Sequence, residues 1–303
     1  MADLVAADAA FEGFRIPREK PRVVLVWALL HLVMGVFMTA VMISVGGDAM
    51  ARFVTLSQER NPDPAATMAA FQQLAPVYAA LLPPGLLVQS VFSAAIYRVV
   101  LRPADSSLAY LRLGPDELRI ALLMMIYVGF GALATFAVTF VGALAAAVLG
   151  MFAGPLAGFL GFLIGSAGLG AMIYAGVRLS LAPAQTFAER RLVLFDSWAL
   201  TKGHFWGLAG AYLLAAALAL IVLLLAMMLY SGVSAALHGG SLENAMRNIS
   251  GDMSTLGTYF TPATTVYVAF SSLLNALSYA LIFAPGAVAY RQLAQHGVGD
   301  TFR

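Results

Sequence analysis

Six long apolar stretches, Val23–Val45, Val77–Leu101, Ile120–Leu149, Met151–Val177, Phe205–Tyr230 and Ala263–Val288, push the 17 bases and 15 acids of this chain into loops, tails and span ends. Each stretch has about 23 to 30 residues, enough at 1.5 Å per residue to cross a hydrocarbon core of about 30 Å. Lipid offers no partner to a backbone N–H or C=O, so a crossing segment must close its own hydrogen bonds, as a helix does. The pattern predicts an all-α fold, a six-span transmembrane helical bundle.

The bases fix its orientation, because Lys and Arg near span ends are retained on the cytoplasmic side. Arg15, Arg18, Lys20 and Arg22 precede the first span; Arg98, Arg102, Arg112 and Arg119 follow the second; Arg178, Arg190, Arg191 and Lys202 follow the fourth; Arg291 and Arg303 follow the sixth. The alternate connections hold only Arg52, Arg60 and Arg247, a division of 14 against 3. Both termini are therefore expected inside: a cytoplasmic segment 1–22, a transmembrane domain 23–290 and a cytoplasmic tail 291–303. Composition agrees, since 61% hydrophobic and 11% charged residues stand far from the roughly 25% charged of soluble domains. The longest connections, near 46–76 and 231–262, are too short for a separate core. The first apolar run exceeds a signal h-region of about 7 to 15 residues and reads as an anchor.

Punctuation between the spans predicts short interfacial helices on both faces. Gly114 followed by Pro115, Asp116 and Glu117 ends an apolar turn and opens the third span. Thr186 and Glu189 have capping-box spacing, which predicts an inner helix starting at Thr186 with Phe187, Leu194 and Trp198 on one face. Outside, Asp63 and Pro64 read as a cap and first helical position, and Ser241–Ile249 as an amphipathic turn. A faint repeat links Tyr97 and Pro103 to Tyr174 and Pro183, and Tyr290-Arg291 to Tyr97-Arg98; three hairpins or a shared aromatic belt would each produce it. Gly154, Gly158, Gly161, Gly165 and Gly168 advance by four and three, lining one helix seam for close packing within the chain or against a second copy.

Chemistry-bearing groups are sparse. His31, Gln89 and Asn275 are the main polar side chains at bilayer depth, and no acid joins them, which weighs against a carrier built on intramembrane carboxylates. His31, His204, His238 and His296 are scattered without ligand spacing, so no metal is expected. The absence of cysteine excludes disulfides and thiolate chemistry, and no nucleophile elbow or phosphate loop is present. No cofactor, catalytic residue or nucleic-acid partner is indicated. Pro83-Pro84-Gly85 in the second span and Pro285-Gly286 in the sixth are candidate helix breaks, the feature a transporter would use. The densest candidate binding segment is the inner loop that gathers Arg178, Arg190, Arg191, Lys202 and His204 with Trp198 and Trp206, cations held at headgroup height by aromatic anchors.

In this loop Arg178-Leu-Ser-Leu-Ala-Pro183, Glu189 and Ser197-Trp198-Ala-Leu-Thr201-Lys202-Gly203-His-Phe-Trp206 resemble a pattern of poorly characterised bacterial integral membrane proteins. Those are related to the membrane domain of some glycerophosphoryl diester phosphodiesterases. The resemblance covers about 30 residues closely and the six-span layout loosely. It implies a bacterial inner-membrane bundle with no established activity and does not extend to a phosphodiesterase domain. The expected function is a non-enzymatic membrane scaffold or lipid-associated protein. Its basic-aromatic inner surface would meet anionic phospholipid headgroups, a second copy or another membrane protein. The alternative is a transporter or channel for a small or amphipathic solute.

Overall fold

The computed structural model describes residues 5–59, 63–153, 156–237 and 252–299. Among them no strand occurs, and the chain folds into α1 (Ala6–Glu19), α2 (Pro21–Gln58), α3 (Pro64–Leu101), a short turn at Ser107–Tyr110, α4 (Pro115–Ala153), α5 (Leu156–Leu179), α6 (Ala182–Glu189), α7 (Asp196–Leu200), α8 (Phe205–Leu237), α9 (Leu256–Tyr259) and α10 (Pro262–Gly299). Six of these helices are long and apolar enough to cross a membrane: α2, α3, α4, α5, α8 and α10. The chain is a multi-pass integral membrane protein of all-α class.

The helices overrun the apolar stretches. α2 continues to Gln58, and α3 starts at Pro64 with the Asp63 carboxylate accepting the Ala65 N–H at 2.9 Å. The 46–76 connection is therefore mostly a helical hairpin, closed by Met42, Leu74 and Val77. α4 extends through Met151 to Ala153, so the fourth span begins at α5 rather than at Met151. α3 also runs unbroken through Pro83, Pro84 and Gly85, and α10 through Pro285 and Gly286. Neither proline site is a helix break, in line with the tolerance of membrane helices for proline.

α10 is the hub, packed against α1, α2, α3 and α8. Its fully buried Ala276, Ala280 and Ala284 recur every four residues, which presents a flat strip to its neighbours and lets backbones approach. Trp27, Phe92, Ile96, Tyr110, Ile120 and Phe187 fill the core around it, concentrated at the end where the bases gather. α1 lies on this lobe, and a Cβ at Gly13 would stand 2.6 Å from the Leu281 Cα. α5 sits apart. It packs on α4 and, at one end, on α7 and α8, where the Tyr174 ring lies 5.0 Å from Phe205 and Val177 joins the cluster of Leu181, Leu208 and Tyr212.

The glycine seam of α5 is mostly open. A Cβ at Gly168 would lie 2.5 Å from Val138 Cγ1, and one at Gly161 would reach only Ala146 at 4.0 Å, while Gly158 and Gly165 have nothing within 4 Å. Gly154 lies outside the described residues, as do Pro155, His238, Arg247 and the turn expected at Ser241–Ile249.

Candidate functional site

At one end of the bundle the helices carry bases at C-terminal turns, where the carbonyl end of the helix dipole favours positive charge. Arg98, near the end of α3, is 3% exposed. It pairs with the buried Glu117 of α4, donates to the Tyr110 carbonyl at 3.0 Å, and places its guanidinium 5.4 Å from the Phe187 ring centroid. The other Glu117 oxygen accepts the Gly114 N–H at 2.9 Å, so Glu117 both starts α4 and neutralises Arg98. Arg102 donates to the Phe187 and Ala188 carbonyls at 3.1 and 3.2 Å, and Arg291 to the Val100 carbonyl at 3.0 Å.

These contacts hold an unusual turn. Leu108, Ala109 and Tyr110 have φ of 49°, 54° and 66°, a left-handed run that costs roughly 1–2 kcal/mol per non-glycine residue. Surrounding bonds over-determine it: Trp27 Nε1 donates to the Ala109 carbonyl at 2.8 Å, Lys20 Nζ to Tyr110 Oη at 2.5 Å, and Tyr110 Oη to the Pro103 carbonyl at 3.1 Å.

The basic-aromatic loop divides in two. Arg178, at the end of α5, is buried; it donates to the Trp198 carbonyl at 2.6 Å and lies 5.0 Å from the Trp198 ring centroid, and its own carbonyl accepts Thr201 Oγ1 at 3.0 Å. Arg178 and Trp198 thus form a clamp that closes the loop onto α5. Arg191 is tied to Asp196 at 2.7 Å and Glu189 at 2.6 Å, and these carboxylates hold its guanidinium pKa above the ordinary range. His204 Nδ1 stands 3.1 Å from the Lys202 carbonyl. Arg190 and Lys202 are exposed and have no ion-pair partner among the described residues, and Trp206, in the first turn of α8, is 83% exposed.

The inner helix differs from expectation. α6 starts at Ala182, not Thr186, because Pro183 supplies a preorganised first turn four residues earlier. Thr186 then falls in the last turn, where its Oγ1 accepts the Val193 N–H at 3.1 Å across the following bend. That bend is made by Arg190 at φ 54°. The chain reverses there, so Phe187 is buried in the core while Trp198, on α7, is 39% exposed; they share no face.

The sequence reading missed Glu117, Tyr110 and Trp27 as the partners that lock this layer. The one available signal was Glu117 beside Pro115 at a helix start, which named a cap but not a buried counter-ion. Among the described residues no three His, Asp or Glu converge at ligand distance. Comparison with protein-family models, curated proteins and solved structures finds no match for the chain.

Proposed function

We propose that this integral membrane protein is a non-enzymatic, lipid-associated scaffold of the bacterial inner membrane that gathers anionic phospholipid at its cytoplasmic face through Arg190, Lys202 and Trp206. The observation that carries this reading is a contrast. Arg98, Arg102, Arg178, Arg191 and Arg291 each direct at least one guanidinium donor to another group of the protein, whereas the exposed Arg190 and Lys202 are paired with no acid among the described residues. Trp206 follows Lys202 by four residues at the start of a spanning helix, the height at which an indole has its apolar body in lipid and its N–H in the headgroups. Arg18 and Arg22, exposed on the same face, add to the field. The reading also fits the resemblance of this segment to bacterial membrane proteins. A transporter reading leans on interrupted helices, and α3 is continuous at Pro83-Pro84-Gly85.

Near an anionic leaflet each base contributes on the order of 1 kcal/mol. Replacing Arg190 and Lys202 together by Gln should therefore weaken phosphatidylglycerol retention roughly 30-fold. The measurement is the ratio of phosphatidylglycerol to phosphatidylethanolamine co-purified in mild detergent, with and without a salt wash, because salt screens exposed charge over about 8 to 10 Å. Arg191→Gln is the internal comparison and should change the ratio little. An unchanged ratio in the Arg190→Gln/Lys202→Gln protein would refute the reading.

A further inference from the structure

Behind the charged layer, α3, α5, α6, α8 and α10 line an open pocket of about 260 Å³ with apolar walls that include Val177, Ile282 and Phe283, and no charged side chain lines it. Three hydroxyl-bearing side chains do, Tyr97, Ser180 and Tyr212. Two of the hydroxyls are engaged with the protein: Tyr212 Oη donates to Ser180 Oγ at 2.8 Å, and Ser180 Oγ donates to the Val177 carbonyl at 2.7 Å. The third is not. Tyr97 is 3% exposed, its ring is held 5.9 Å from Phe187 and 6.4 Å from Phe283, and its hydroxyl has no hydrogen-bond partner among the described residues. The Tyr97 side chain lines the pocket, so its unused hydroxyl is available to a partner inside it. Gly286 keeps the space open: a Cβ there would stand 3.5 Å from Tyr212 Oη.

We propose that this cavity binds the free hydroxyl of an uncharged glycerolipid of the diacylglycerol type, which enters from the bilayer between α5 and α8. The donor and acceptor inventory selects the group. Tyr97 supplies an O–H, and Tyr212 Oη, whose proton is directed at Ser180, keeps a lone pair. A ligand hydroxyl meets both; an ester carbonyl meets only the first. A phosphate is selected against, because burying it demands guanidinium, ammonium or several N–H donors, and the lining has no charge. The cavity holds a glycerol end and leaves the acyl chains outside. Their path is open: α5 exposes Phe162, Leu169 and Ile173, α8 exposes Leu220 and Leu224, and the two helices meet near Tyr174, Val177, Phe205 and Tyr212. This site shares no residue with the Arg190, Lys202 and Trp206 surface and stands or falls separately from it.

The test reconstitutes the full chain in phosphatidylcholine nanodiscs doped with dioleoylglycerol or with its acetate ester, which lacks the free hydroxyl, and counts retained lipid by native mass spectrometry. Wild type should retain the alcohol and not the acetate. Tyr97→Phe keeps the ring and removes one oxygen, and should weaken retention about tenfold, the equivalent of about 1.4 kcal/mol or one hydrogen bond. Gly286→Leu should fill the cavity and abolish retention. Equal retention of alcohol and acetate, or unchanged retention in a folded Tyr97→Phe protein, overturns the proposal. So does a wild type that retains neither lipid, the outcome for a cavity holding only water. If Gly286→Leu fails to fold, Tyr97→Phe decides alone, since it leaves the packing in place.

Discussion

Replacing Glu117 by Gln tests whether the buried charged layer holds the bundle together. Arg98 and Glu117 are 3% and 1% exposed, so their charges are compensated by each other and by fixed dipoles rather than by water. Gln keeps the volume of Glu117 and an oxygen for the Gly114 N–H, but leaves the Arg98 cation without its counter-ion. Breaking one side of a buried pair costs about 3–5 kcal/mol. Arg98 retains the Tyr110 carbonyl and the Phe187 ring, which places the expected loss near the lower end, about 3 kcal/mol. The paired change Arg98→Met/Glu117→Leu removes both desolvation costs with the attraction and should lie within about 1 kcal/mol of wild type. Denaturant unfolding in detergent micelles, followed by tryptophan fluorescence, reads all three proteins; Trp27 reports directly because its N–H bonds the turn that Arg98 braces. A Glu117→Gln protein within about 1 kcal/mol of wild type, or a double variant worse than the single one, would refute the reasoning.

Three further outcomes follow from the same geometry. Single cysteines placed at Ser57 and at Lys202, both exposed, should label from opposite sides: an impermeant thiol reagent added to intact cells should reach position 57 and not position 202, and the reverse pattern inverts the topology. Gly168→Leu should lower thermal stability by driving a side chain into Val138, whereas Gly165→Leu should not, because nothing lies within 4 Å of that site; equal losses would mean that a second copy covers the open seam. Burial raises the Glu12 pKa above its ordinary 4.5 against the opposing pull of Arg15 and Arg291. The charged form therefore penalises docking of α1 above the raised pKa, and the penalty fades as pH falls through it towards 4.5. Protease protection of α1 should accordingly rise on mild acidification, and Glu12→Gln should flatten that dependence; protection that falls in wild type would contradict the sign.

Spans and class were legible because the bilayer acts on each residue separately: a charge inside lipid is costly wherever its neighbours are, so exclusion is visible along one dimension. The use of each base was not. Arg178 and Arg190 are the same residue type twelve positions apart, and only the fold decides that one closes on the Trp198 carbonyl while the other turns outward at positive φ. Local signals also competed. The Thr186 capping spacing was real, yet Pro183 began the helix first and Thr186 served a different N–H. Small-residue packing was misplaced for a compositional reason. Glycines spaced by four and three from 154 to 168 stand out as a pattern, while Ala276, Ala280 and Ala284 of α10 are hidden in an alanine-rich chain, although theirs is the buried strip. Glycines at a lipid-facing position and glycines at a seam have the same spacing, and the difference appears only when a neighbour such as Val138 is placed.

Where polarity sits also explains why the bundle has a compact lobe and a loose one. Between helices in lipid there is no hydrophobic force, since acyl chains are as apolar as leucine; packing and polar contacts decide what closes. α2, α3 and α10 close on one another through the small side chains of α10. α5 has none of its apolar window buried, and on its α8 side the polar contacts among the described residues are at the charged end: Arg178 to the Trp198 carbonyl, Thr201 to the Arg178 carbonyl, and Tyr212 to Ser180. Among the described residues nothing comparable draws α5 against α8 further along the bundle, so a gap between them costs little. The layer of charges thus also ties α5 to α7 and α8 at one end of the bundle, beside the pocket that the Tyr97 hydroxyl lines.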